Sequence, residues 1–146
     1  MRQIQKVTRQ DPNFVGAYNN TGNAFRILGR LNEAQAAYRQ AIEIDPHNAD
    51  GFNNLGGLLV DRGEIDEAVV NFTKSIEIDS RHREAHNGLG NALLARGELE
   101  PAIISYQKAI EINPSHKDAH NGLGSALNYL GQKAEAVLCY QKAIEI

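Results

Sequence analysis

The apolar and small residues of this chain fall at helical spacing, and the whole pattern recurs every 34 residues. Four segments begin alike: AYNNTGNAF at Ala17, GFNNLGGLL at Gly51, AHNGLGNAL at Ala85 and AHNGLGSAL at Ala119. They also end alike, in YRQAIEIDP at Tyr38, FTKSIEIDS at Phe72, YQKAIEINP at Tyr106 and YQKAIEI at Tyr140. No insertion disturbs the register. Units are counted from Val15, Ala49, Arg83 and Lys117. Position 8 is then always glycine (Gly22, Gly56, Gly90, Gly124) and position 20 always alanine (Ala34, Ala68, Ala102, Ala136). Position 24 is aromatic (Tyr38, Phe72, Tyr106, Tyr140), and position 27 is small (Ala41, Ser75, Ala109, Ala143).

This periodicity predicts two antiparallel helices per unit. The first ends near position 14 at a glycine (Gly29, Gly63, Gly97, Gly131), which readily takes the left-handed backbone of a helix C-cap. The second spans about positions 18–30 and stops at Asp-Pro or Asn-Pro, at Pro46 and Pro114. Ser80 stands in the proline's place in the second unit. Small residues at positions 8, 20 and 27 are expected to let helix backbones approach. The position-24 aromatics and the position-11 residues (Phe25, Leu59, Leu93, Leu127) fill the space between.

The expected organisation is the second helix of a partial preceding unit over residues 1–14, then repeats at 15–48, 49–82, 83–116 and 117–146. The last repeat stops before its Asp-Pro, with no polar capping helix. Repeat stacks need such caps for solubility. The expectation is therefore a fragment of a longer array, self-associating through residues such as Val137, Tyr140 and Ile144.

Composition narrows the function classes. A net charge of -3 provides no basic field for nucleic acid or anionic lipid. The single Cys139 cannot form an internal disulfide, which reads as a reducing compartment or indifference to redox. MRQIQKVTRQ has neither the apolar run nor the cleavage site of a secretion signal, and no stretch approaches the length of a membrane span. The expectation is a cytoplasmic protein with no nucleic-acid or membrane partner.

The repeat resembles the tetratricopeptide family, whose 34-residue pattern is W-x2-L-G-x2-Y followed by alanine, aromatic, alanine and proline. Tyr18, Phe52, His86 and His120 stand in the tryptophan slot, and Thr21 replaces a leucine. The resemblance covers Val15 to Ile146 and implies an all-α fold, a right-handed α-solenoid of tandem antiparallel helix pairs. It also implies that positions 2, 5, 6, 9, 12 and 13 of the first helices line a concave peptide-binding groove. Carried onto this sequence, the groove comprises Asn19, Asn20, Asn23 and Arg26, then Asp50, Asn53, Asn54 and Asp61. Glu84, Asn87 and Asn91 follow from the third unit, and Asp118, Asn121, Ser125, Asn128 and Tyr129 from the fourth.

Asparagine offers donors and an acceptor, so it can hold the backbone of an extended peptide whatever its side chains are. It is a poor interior helix former, so its recurrence is a local cost that points to use. Family members that clamp acidic tails place basic residues where this chain has Asn19, Glu84 and Gly88. With Arg26 the one cation on this face against Asp50, Asp61, Glu84 and Asp118, a neutral or basic segment is the expected ligand. The asparagines also resemble the ladder in protein O-linked N-acetylglucosamine transferases, matched by Asn20 and Asn54 but broken by Gly88 and Gly122.

Other chemistry is weaker. His82 with His86, and His116 with His120, are spaced for a shared metal but lack a third ligand, so no metal and no cofactor are expected. GLGNAL and GLGSAL lack the strand and third glycine of a dinucleotide loop. Cys139 has no repeated basic partner, and no catalytic residues are assigned. The chain thus reads as a non-enzymatic interaction scaffold. Two alternatives are the substrate-recognition arm of a longer enzyme such as a glycosyltransferase, and a self-assembling structural module.

Overall fold

A computed structural model describes residues 12–146. The expected second helix of a preceding unit over residues 1–14 lies outside the described residues as far as residue 11, and at residues 12–14 the chain instead opens the first helix of the hairpin that follows. The described residues divide into two compact units, with the boundary between Ile78 and Asp79. Every described element is a helix.

In the first unit, α1 (Pro12–Ile27) pairs with α2 (Leu31–Ile44), and α3 (Ala49–Asp61) with α4 (Ile65–Ile78). Helix α3 also packs on α1 and α2. The second unit repeats the scheme: α5 (Arg83–Ala95) pairs with α6 (Leu99–Ile112), α7 (Lys117–Leu130) with α8 (Lys133–Glu145), and α7 packs on α5 and α6. Helix α1 starts at Pro12, earlier than the expected Val15, because proline is tolerated in a first turn whose N–H groups lack helical partners anyway.

Each hairpin turn rests on its glycine. Gly29, Gly63, Gly97 and Gly131 have φ of 77°, 78°, 80° and 92°. The next residue's N–H then reaches back to close the helix: Arg30 to the Phe25 carbonyl at 2.8 Å, Glu98 to that of Leu93 at 2.9 Å. The loops between hairpins are held by side chains. Asp45, Asp79 and Asn113 each accept from the backbone N–H two residues on, at 3.0, 3.1 and 3.1 Å. That is why Ser80 can replace a proline without loss of the turn.

Helix starts show a device that the sequence reading missed. Asn48 caps α3 as expected for its type, accepting from the Gly51 N–H. At α5 and α7 the cap is histidine: His82 and His116 accept through Nδ1 from Ala85 and Ala119 at 3.1 and 3.2 Å. The partner histidines turn inward, with His86 Nε2 3.0 Å from the Ser80 carbonyl and His120 Nε2 2.8 Å from that of Pro114. Both i,i+4 pairs are therefore committed to backbone groups.

The cores centre on the position-24 rings. Tyr38 and Tyr106 are fully buried and Phe72 nearly so. The position-8 glycines serve these rings and not, as expected, a close approach of backbones. A Cβ on Gly56 would stand 2.8 Å from the Phe72 ring, and one on Gly90 would stand 2.8 Å from Tyr106. Ser75, fully buried, donates to the Ala49 carbonyl at 2.8 Å and ties α4 to the start of α3. Ser75→Ala should destabilise the first unit by about 1 kcal/mol in a denaturant titration, the net worth of one such bond.

Candidate functional site: the first-helix face

Residues i, i+3, i+7 and i+11 share one face of a helix. Glu84, Asn87, Asn91 and Ala95 form such a stripe on α5, and Asp118, Asn121, Ser125 and Tyr129 form its counterpart on α7. The two helices pack side by side within the second unit. In the first unit α1 carries Asn19, Asn23 and Arg26, and α3 carries Asp50, Asn53, Asn54 and Asp61.

The stripes are less uniform than the sequence implies. Asn20 is exposed, but Asn19 is 8% exposed and its Oδ1 accepts a long bond from Asn54 Nδ2 at 3.5 Å. Asn53 and Asn54 are half-buried, while Asp50 is exposed. Asn87, equivalent to Asn19, is also 8% exposed, and its Oδ1 is buried without a hydrogen-bond partner. The residue in Asn54's place is Gly122, which has no side chain to donate. Tyr106 leans into that space: a Cβ on Gly122 would lie 2.5 Å from its Cζ. The glycine that interrupts the asparagine series is thus filled from within.

Arg26, the one cation the sequence places on this face, is paired: its Nε donates to Asp61 Oδ2 at 2.5 Å. Gly57 lets it cross, since a Cβ there would sit 2.8 Å from Nη1. The hydrogen bond to Asp61 raises the guanidinium's pKa, with burial opposing and the Asp61 charge adding. Glu84 is engaged too, 3.1 Å from His116 Nε2 and 3.5 Å from Arg83 Nε. Because His116 accepts at Nδ1, its proton sits on Nε2 and donates to Glu84.

Positions 9 and 24 are coupled, a signal present in the sequence but not used. Tyr38 donates to Asn23 Oδ1 at 2.6 Å, Tyr106 to Asn91 Oδ1 at 2.6 Å, and Tyr140 to Ser125 Oγ at 3.3 Å. Where position 24 is Phe72, with no hydroxyl, position 9 is Gly57. Ser125 also donates to the Asn121 carbonyl at 3.2 Å.

Asn91 and Tyr129 meet in an open cavity of about 650 Å³, lined also by Leu94, Ala95, Gly97 and Leu99. Tyr129 is 73% exposed. An apolar hollow with a few converging polar groups is the usual form of a binding site. Asp118, Asn121 and Asn128 stay exposed on α7. Burial pushes the Tyr106 hydroxyl up to about 12, so it remains a protonated donor at neutral pH. A raised folded value means that stability is fully present below the ordinary tyrosine value near 10 and declines as pH rises toward 12. Tyr106→Phe should remove that part of the alkaline decline in stability curves measured from pH 9 to 12.

No group of three or more His, Cys, Asp or Glu arranged to hold a metal occurs among the described residues. Burial and Glu135 raise the Cys139 pKa, which disfavours a nucleophilic thiolate. No described helix is long and apolar enough to cross a membrane.

Tandem helical hairpins with a polar first-helix face define a helical repeat protein. A family model described as TPR repeat matches residues 22–60 and 90–131. Two described as tetratricopeptide repeat match residues 4–36, and 49–82 with 118–146. The chain belongs to the tetratricopeptide repeat family. It is similar to two crystal structures of MamA, each at 28% identity over 99% of this chain. They give TM-scores of 0.79 and 0.77 and are covered over 84% and 79% of their own length. The first TPR of Spaghetti (RPAP3), bound to the HSP90 peptide SRMEEVD, shares the fold at 21% identity with a TM-score of 0.78. That likeness covers 83% of this chain and 96% of that one. Comparison with curated proteins gives no match.

Proposed function

We propose that this chain is a non-catalytic protein-interaction scaffold that holds an extended, neutral or basic peptide segment along its first-helix face. The observation that carries this reading is the cavity where Asn91 and Tyr129 converge, beside the exposed Asp118 and Asn121. The peptide-bound relative supports it at the level of the fold. Asn20 and Asn54 provide polar groups in the first unit, in the manner of the O-linked N-acetylglucosamine transferase ladder. The repeats at 15–48, 49–82, 83–116 and 117–146 are the binding modules, working in the cytoplasm and without a cofactor.

A peptide array of neutral, basic and acidic extended sequences tests the reading. Neutral and basic members should bind, and Asn20→Ala with Asn54→Ala should weaken binding about tenfold, as expected for two lost hydrogen bonds. Failure of every class to bind would remove it.

A second reading is self-association through the last hairpin. Val137, Leu138 and Ile144 are 51%, 66% and 81% exposed, and a cavity of about 380 Å³ lies between Asp118, Asn121, Tyr140 and Ile144. Sedimentation over a concentration series should then show assembly that Ile144→Asp abolishes. A concentration-independent monomer would exclude it.

A further inference from the structure

The second unit holds one polar group whose direction is fixed from behind. Asn91 Oδ1 takes the Tyr106 hydroxyl proton at 2.6 Å, and that ring is held between Gly90 and Gly122 with no exposed surface. A buried phenol must donate to some acceptor, so the carboxamide oxygen is committed to it. The amide N–H2 is left as the group that Asn91 contributes to the cavity wall. The neighbouring walls, Leu94, Ala95, Leu99 and the exposed Tyr129 ring, are apolar. Such a hollow suits an apolar side chain, while its one oriented donor suits a carbonyl oxygen beside that side chain.

Charge adds a second mark along the same stripe. Asp118 is exposed near the start of α7, and Tyr129 lies near its end. The rise of 1.5 Å per residue separates them by about 16 Å, roughly the span of five extended peptide residues at 3.3 Å each. Glu84, at the corresponding place on α5, is already held by His116 and Arg83, so Asp118 is the carboxylate that this stripe presents.

We infer that the second unit selects an extended peptide by a large apolar residue seated in the Asn91–Tyr129 cavity and a basic residue about five positions away at Asp118, with Tyr106 as a positioning residue that fixes Asn91 as a donor. This deepens the proposed function and rests on it. The same arrangement at Asn23 and Tyr38 makes the first unit a donor as well, whereas Gly57 with Phe72 offers nothing and Ser125 spends its proton on Asn121.

The test uses the full chain and fluorescein-labelled Gly/Ser nonapeptides carrying one Leu and, five positions along, one Lys, made in both chain directions. Fluorescence anisotropy should show binding of at least one direction. Replacing Lys by Glu, or Leu by Ser, should weaken it about tenfold or more. Tyr106→Phe keeps the ring but removes the donor, and should weaken binding about fivefold. Asn91→Asp presents an oxygen in place of the N–H2 and should abolish binding, with thermal unfolding confirming that both variants remain folded. Equal affinity for wild type and Tyr106→Phe, or for the Lys and Glu peptides, overturns the inference and leaves the scaffold reading standing. If these peptides do not bind while members of the peptide array do, the inference alone falls; if neither set binds, both fall.

Discussion

Tyr106→Ala is expected to destabilise the second unit by about 3–5 kcal/mol, the range for removing a large buried aromatic side chain. The ring is fully buried and meets two helices at residues without side chains, Gly90 on α5 and Gly122 on α7. Ala102, Ala109, Ala119 and Ala126 complete the same cluster, and these small residues cannot move to fill the void. Tyr106→Phe keeps every ring contact and should cost only about 1 kcal/mol, the share of the hydroxyl bond to Asn91. Urea titration followed by circular dichroism checks both values. Nearly equal losses for the two variants would mean that the hydroxyl, not the ring, holds the unit.

The second large effect is discrimination by charge. An acidic peptide such as SRMEEVD should bind at least about a hundredfold more weakly than a neutral or basic peptide of equal length, since like charge across an interface costs several kcal/mol. Arg26 is bound to Asp61, and the exposed Asp50 and Asp118 add negative charge to the first-helix stripes. Isothermal titration at low and high salt measures the ratio, which should shrink as salt screens the repulsion. Comparable affinity for the acidic peptide would require Arg26 to leave Asp61 and would refute this electrostatic reading.

The repeat itself was readable because backbone rules acted alike in every unit. Left-handed glycines at Gly29, Gly63, Gly97 and Gly131 end the first helices, and the helical spans follow from a 34-residue period. The site was harder, since its polar groups are apportioned by contacts between units of sequence. Nothing local distinguishes Asn121, which is exposed, from Asn87, which is buried with an unpaired oxygen, since both stand at position 5 of an AHNGLG segment. Arg26 looks like a free cation until Gly57 opens a path to Asp61. Histidine caps at α5 and α7 escaped notice because His82 and His116 read first as half of a metal pair. The coupling of Asn23, Asn91 and Ser125 to tyrosine, and of Gly57 to Phe72, lay open in the aligned repeats. Its meaning needed the hydroxyl geometry.

The central claim is that peptides bind on the first helices. Side-chain amide NMR on uniformly 15N-labelled protein tests it directly, because each asparagine reports for itself. Titration with a bound neutral or basic peptide should shift the amide signals of Asn20, Asn54, Asn91 and Asn121 and broaden the Tyr129 ring. Perturbations confined to the second helices, at Gln35, Asn71 and Gln107, with the first-helix amides unmoved, would contradict it.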